Sequence, residues 1–166
     1  MSPERANTAP TGTSREFDQQ SLERWGAELG RAAIEAKAFV CLYGPLGAGK
    51  STLVRAACRG VGVAGSVPSP TFTLVIRHES SDGRPVWHAD LYRLEASALL
   101  VDAGWPELLE GEETVFVEWA DRAGDWLPAD RWDIELGFTQ QPETRRVSIR
   151  SAGAAPPPPC PPKVPC

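Results

Sequence analysis

The sequence predicts an α/β fold in which helices flank one mixed central sheet, and three observations carry that reading. Residues 38–43 and 114–119 are continuous apolar runs, the pattern of strands buried on both faces. Residues 44–51 are glycine-rich and connect the first run to a helical pattern. Residues 132–138 and 146–150 alternate apolar with polar side chains, as half-exposed strands of an antiparallel edge do.

Taken in order, residues 1–17 are rich in Ser, Thr, Pro and charge and read as a flexible leader. From residue 18 to about 37, Leu22, Trp25, Leu29, Ala33 and Ile34 recur at helical spacing, with charged residues mostly between them. The strand at 38–43 delivers the chain into Gly44. A helix over 50–59 follows, with Leu53, Val54 and Ala57 on one side and Gly60 and Gly62 stopping it. Residues 72–78 are β-branched and aromatic, Asp82-Gly83 reads as a hairpin turn, and 85–90 is the returning strand. Residues 95–103 are expected to be helical and 105–109 a further short turn. One domain, 18–150, accounts for these elements, and 151–166 is expected to be a disordered or polyproline-like tail.

Composition narrows the function. At 166 residues the chain has room for one real core, and a formal charge of −5 disfavours a broad basic nucleic-acid surface. No apolar run approaches a membrane span and residues 1–16 lack a signal peptide's apolar segment, so the cytoplasm is the expected compartment, with no membrane partner. Cys41 and Cys58 fall within core elements. Cys160 and Cys166 lie in the tail at no zinc-ligand spacing.

Chemistry concentrates in Gly44-Pro45-Leu46-Gly47-Ala48-Gly49-Lys50-Ser51, which matches the G-x-x-x-x-G-K-[ST] phosphate-binding pattern between a strand and a helix. That context makes the α/β unit a P-loop NTPase fold. The glycines allow backbone conformations closed to other residues, so that successive N–H groups turn inward on phosphate oxygens. The helix beginning near Lys50 aims its positive end at the same anion. Gly44, Leu46, Gly47, Ala48, Gly49, Lys50, Ser51 and Thr52 are thus the candidate nucleotide ligands. Lys50 reaches the β- and γ-phosphates, and the Ser51 hydroxyl serves magnesium.

A magnesium ion bridging phosphates also needs an anionic oxygen at a neighbouring strand end. Asp90 and Glu118 each terminate an apolar strand, although Asp90 could also simply cap the helix after it. Thr71, in Ser69-Pro70-Thr71-Phe72-Thr73, is either a second hydroxyl for magnesium and the γ-phosphate or part of an ordinary turn. His78 and His88 lack metal-ligand spacing and read as structural. Trp87, Trp105, Trp126 and Trp132 read as core or edge residues, while Trp119, beside Glu118, is a candidate contact to nucleotide or partner. Arg93 and Arg122 follow the two carboxylate strands and are expected to be solvated. There is no N-K-x-D segment for guanine and no arginine-rich kinase lid.

The motifs together resemble the bacterial TsaE family: the loop 44–51 with Thr52, then 69–75, then His88-Ala89-Asp90-Leu91-Tyr92-Arg93-Leu94, then Val117-Glu118-Trp119 and Leu127-Pro128. The resemblance implies a small ATPase in the synthesis of threonylcarbamoyladenosine in tRNA. It would work with TsaD-like and TsaB-like proteins, which transfer a threonylcarbamoyl group to adenosine 37, and would reach tRNA only through them. ATP hydrolysis would reset that complex between turnovers. It further implies phosphate and magnesium roles for Lys50 and Ser51, magnesium ligation by Glu118, help with hydrolysis from Asp90, and a switch-like segment containing Thr71. The family often has Asp after the first loop glycine and Thr after the lysine, where this chain has Pro45 and Ser51. Ser51 keeps the hydroxyl, whereas Pro45 lacks an N–H. From the residues alone, a small-molecule phosphotransferase and a nucleotide-sensing module with incidental hydrolysis remain the alternatives.

Overall fold

A computed structural model of the protein describes residues 13–70 and 73–162. Seven strands, β1 (Thr13–Asp18), β2 (Phe39–Tyr43), β3 (Val75–Glu79), β4 (Pro85–Asp90), β5 (Thr114–Glu118), β6 (Arg131–Phe138) and β7 (Thr144–Ala152), form one sheet. Three α-helices, α1 (Gln19–Ala36), α2 (Lys50–Gly60) and α3 (Trp105–Glu110), flank it. The strand order is β1-β7-β6-β2-β5-β4-β3. The pairs β6–β2, β2–β5 and β5–β4 are parallel, and the remaining pairs are antiparallel.

The apolar runs place β2 and β5 at the centre because only two-sided burial suits them. Val40, Leu42 and Phe116 pack under α1 and α2, while Phe39, Cys41, Val115 and Val117 face the opposite core with Trp105 and Leu100. Helix α1 begins where the Asp18 carboxylate accepts the Ser21 N–H at 2.7 Å. Its buried stripe of Leu22, Trp25, Leu29 and Ala33 follows the helical period. Gly30 lets α1 meet α2 closely, since a Cβ there would lie 2.2 Å from the Ala57 carbonyl oxygen.

This topology builds the site. Strands β2, β4 and β5 run the same way, so their C-terminal ends open on one edge of the sheet. In register, Glu118 lies between Leu42 on one side and Asp90 on the other.

Several expectations need correction. Residues 13–17 are not leader; they belong to β1, which pairs with β7 at the sheet's edge. Phe17 is the one large apolar side chain in that stretch, so pairing rather than alternation makes the strand, and residues 1–12 lie outside the described residues. Residues 95–103 contain only a 3-10 turn at Ser97–Leu100, because Leu99 and Val101 are exposed and leave Leu100 without an apolar stripe. The helix of this region is α3 instead. Strand β3 begins only at Val75, after Leu74 takes a left-handed φ of 61°. Strand β6 is internal, held between β2 and β7, and is not an edge.

The tail is more ordered than its composition implies. Ser151 and Ala152 extend β7, the Ala154 N–H donates to Asp130 at 2.6 Å, and the Trp132 indole donates to the Pro156 carbonyl at 2.7 Å. Cys160 is exposed, and Cys166 lies outside the described residues. Among the described residues no helix is long and apolar enough to cross a membrane.

Candidate functional site

The turn from β2 to α2 adopts backbone angles that its glycines make possible. Gly44, Gly47 and Gly49 have φ of 135°, 79° and 102°. A Cβ on Gly44 would also fall 2.2 Å from the Leu136 carbonyl oxygen, so the loop hugs β6. Leu46 stands out from the loop, Ala48 is buried, and Gly47, Gly49, Lys50, Ser51 and Thr52 line the cavity that opens above it.

Lys50 opens α2 and is buried. Its ammonium donates to the Gly44 and Pro45 carbonyls at 2.6 and 2.9 Å and lies 3.8 Å from the centroid of the Trp119 ring. Burial holds its pKa below the usual lysine value, against an opposing pull from Glu118, Asp90 and Asp121. Pro45 has no N–H, yet its carbonyl serves the loop, accepting from both Lys50 and the Ala48 N–H.

The two strand-terminal carboxylates converge on the same cavity of about 400 Å³. Glu118 is only 2% exposed, and its Oε2 accepts the Ser51 hydroxyl at 2.7 Å. Its Oε1 lies 2.8 Å from His88 Nε2. Asp90 accepts the Ser69 hydroxyl at 2.8 Å and the Tyr92 N–H at 2.9 Å, so it also braces the turn after β4. Thr71 lies outside the described residues.

Trp119 departs from ordinary backbone geometry. It takes φ 57°, ψ 43°, a left-handed conformation that is costly for an aromatic residue. This bend, directly after Glu118, turns the indole back over Lys50. Tyr92 packs on it at 4.9 Å between ring centroids, and the Arg122 guanidinium lies 5.5 Å from the Tyr92 ring and 5.9 Å from that of Trp119. Arg122 is exposed, as expected, with its guanidinium beside these two rings. Arg93 is exposed and also lines the cavity. His88 is the residue that spacing alone undervalued. Its i, i+2 relation to Asp90 on a strand, which puts both on one face, was the available signal.

The donor set suits a polyphosphate and a hard cation. Among the described residues no group of three or more His, Cys, Asp and Glu could hold a metal by itself. The Ser51 hydroxyl and Glu118 carboxylate are hard oxygen donors side by side, the partial shell that magnesium accepts while keeping water and phosphate oxygens. A second cavity of about 550 Å³ shares Gly47, Gly49 and Thr52 with the first and extends past the loop to Gln19, Pro142 and Arg145.

The family model for TsaE, described as threonylcarbamoyl adenosine biosynthesis protein, matches residues 17–147. The chain is 34% identical over 136 residues to the tRNA threonylcarbamoyladenosine biosynthesis protein TsaE of Haemophilus influenzae, covering 80% of this chain and 84% of that one. It is 37% identical over 128 residues to the protein of that name from Bacillus subtilis, covering 76% and 78%. For the Streptomyces coelicolor protein the identity is 36% over 134 residues, covering 76% and 90%. The crystal structure of Bacillus subtilis YdiB superposes with a TM-score of 0.64 at 23% identity, over 87% of this chain and 90% of that one, and shares the fold. On the family model and these identities, the chain belongs to the TsaE family.

Proposed function

We propose that the protein is an ATP-binding and ATP-hydrolysing subunit that supports threonylcarbamoylation of adenosine 37 in tRNA. It resets a modifying complex of TsaD-like and TsaB-like proteins between turnovers and meets tRNA only through that complex. The observation that carries this reading is the convergence of Lys50, Ser51, Asp90 and Glu118 on one cavity at the phosphate loop.

Each residue has a task suited to its position. The N–H groups of the loop and of the first turn of α2 cradle the phosphates. Lys50 exchanges its two carbonyl acceptors for β- and γ-phosphate oxygens. Thr52 sits where the two cavities meet, so the nucleoside end extends into the cavity bounded by Gln19, Pro142 and Arg145. Ser51 and Glu118 would hold a magnesium ion, which would supply positive charge against that developing on the phosphates. Asp90, anchored by Ser69 and the Tyr92 N–H, orients the attacking water and takes its proton. The water oxygen bonds to the γ-phosphorus as the bond to the β–γ bridging oxygen breaks, giving ADP and inorganic phosphate.

The test is phosphate release from labelled ATP, with and without the partner proteins, by wild type and Lys50→Ala. Label is expected in inorganic phosphate, faster with partners, and Lys50→Ala should bind ATP at least about 100-fold more weakly. Normal ATP affinity in Lys50→Ala would refute the phosphate-loop reading. Label transferred to a small molecule would mark a kinase instead.

A further inference from the structure

The two oxygens of the Glu118 carboxylate have different partners, and the second is not part of the phosphate loop. Oε2 faces the Ser51 hydroxyl at 2.7 Å, whereas Oε1 faces His88 Nε2 at 2.8 Å. His88 is wholly buried in β4, opposite Phe116 of β5 and so one strand over from, and two residues behind, Glu118. Its other nitrogen, Nδ1, is buried without a hydrogen-bond partner. His78 Nε2, on the adjacent β3, is in the same condition, with the two rings 6.4 Å apart.

A histidine kept only for packing is normally satisfied at both nitrogens, and an apolar ring would fill the same space without an orphaned polar atom. The bond to Glu118 is the one that the His88 ring makes here. A carboxylate at a strand end can rotate about its last torsion, which is broad. Tying down one oxygen fixes where the other points. We propose that His88 is a positioning residue: as the Nε2–H tautomer it donates to Glu118 Oε1 and thereby presents Oε2, beside Ser51, to a divalent cation. This rests on the magnesium–ATP reading of the site.

The test compares His88→Phe, which keeps the ring volume and removes the donor, with His88→Gln, which retains a side-chain N–H. ATP binding is followed by tryptophan fluorescence as Mg²⁺ is varied, with phosphate release measured alongside. His88→Phe should bind ATP in EDTA as wild type does, yet need roughly 10- to 100-fold more Mg²⁺ for half-saturation, and His88→Gln should recover most of that loss. Equal Mg²⁺ dependence in all three proteins would overturn the positioning role while leaving the ATPase reading intact. Wild type that binds no ATP at all would overturn both. Nitrogen-15 NMR of the wild-type imidazoles gives a check that needs no folded variant. A proton on Nε2 is expected, and the Nδ1–H tautomer would overturn the proposal.

Discussion

Glu118→Gln separates structure from chemistry more cleanly than any other single substitution in the site. It keeps the shape of a side chain that is 2% exposed and removes one negative charge. The variant amide can still meet Ser51, whose hydroxyl either donates or accepts, and its remaining oxygen can still accept from His88. Two charge-assisted hydrogen bonds become neutral ones, a loss of about 1 kcal/mol each. Against this, a carboxylate no longer has to be stripped of water, a penalty of several kcal/mol. The two effects oppose each other, so folding stability should change by no more than about 2 kcal/mol, in either direction. On the proposed function hydrolysis has no such compensation, because the anionic ligand to the cation disappears. Loss of one preorganised charge of this kind costs roughly 10²- to 10³-fold in rate, or about 3–4 kcal/mol. Thermal unfolding and phosphate release at saturating ATP with partner proteins measure the two arms. A well-folded Glu118→Gln that hydrolyses ATP within about threefold of wild type would refute the assignment of Glu118 to the cation.

Three further outcomes rest on particular residues. His78 has its pKa held below the usual value of 6.5, first by burial and then by His88. The unfolded chain therefore binds the proton more readily, so this contribution is complete above about pH 6.5 and is lost as the pH falls towards the folded-state value. The melting temperature should accordingly drop by a few degrees between about pH 7 and pH 5, and His78→Phe should drop less. Gly30→Ala forces a Cβ to within 2.2 Å of the Ala57 carbonyl, so α1 and α2 must move apart. Urea denaturation should register a loss of about 2 kcal/mol, and a variant as stable as wild type would contradict the close packing. Burial pushes the Cys41 and Cys58 thiols up to about 12, which leaves almost no thiolate at about pH 8. Alkylation and then peptide mapping should label exposed Cys160 in the folded protein, and Cys41 and Cys58 only in denaturant.

What the sequence disclosed and what it withheld divide along physical lines. β2, α2 and β5 were legible because each is specified locally, by an uninterrupted apolar run or by a glycine motif with one purpose. Glu118 and Asp90 were legible as site candidates because a charge ending an apolar strand is unusual whatever the tertiary structure. β1 was not legible. Ser14-Arg15-Glu16-Phe17 has no alternation, and only the long-range pairing with β7 makes it a strand. The short helices between β4 and β5 were misassigned for a related reason. Their burial is decided residue by residue by the second core, and a break at Gly104, with φ 77°, sets the phase. His88 and Arg122 fall between these cases. Their residue types were visible, but their partners come from strand register and from the backbone bend at Trp119, which no local pattern encodes.

Pro45 shows how a departure from the family's pattern can be absorbed by the fold. Read from the sequence, a proline at the second loop position subtracts an N–H from the phosphate cradle. In the folded loop that residue works through its carbonyl, which accepts from Lys50 Nζ at 2.9 Å and from the Ala48 N–H at 3.2 Å. Any residue type supplies a carbonyl, so both bonds survive the substitution. Proline adds a fixed φ, which reduces the conformations the free loop has to give up when it orders. The lost donor lies at the loop's entrance, whereas the N–H groups nearest the helix, at Gly49, Lys50 and Ser51, gain most from the α2 dipole. On the proposed function, phosphate recognition depends on the Lys50 end of the loop, and that is the end where Ser51, Glu118 and Trp119 also converge.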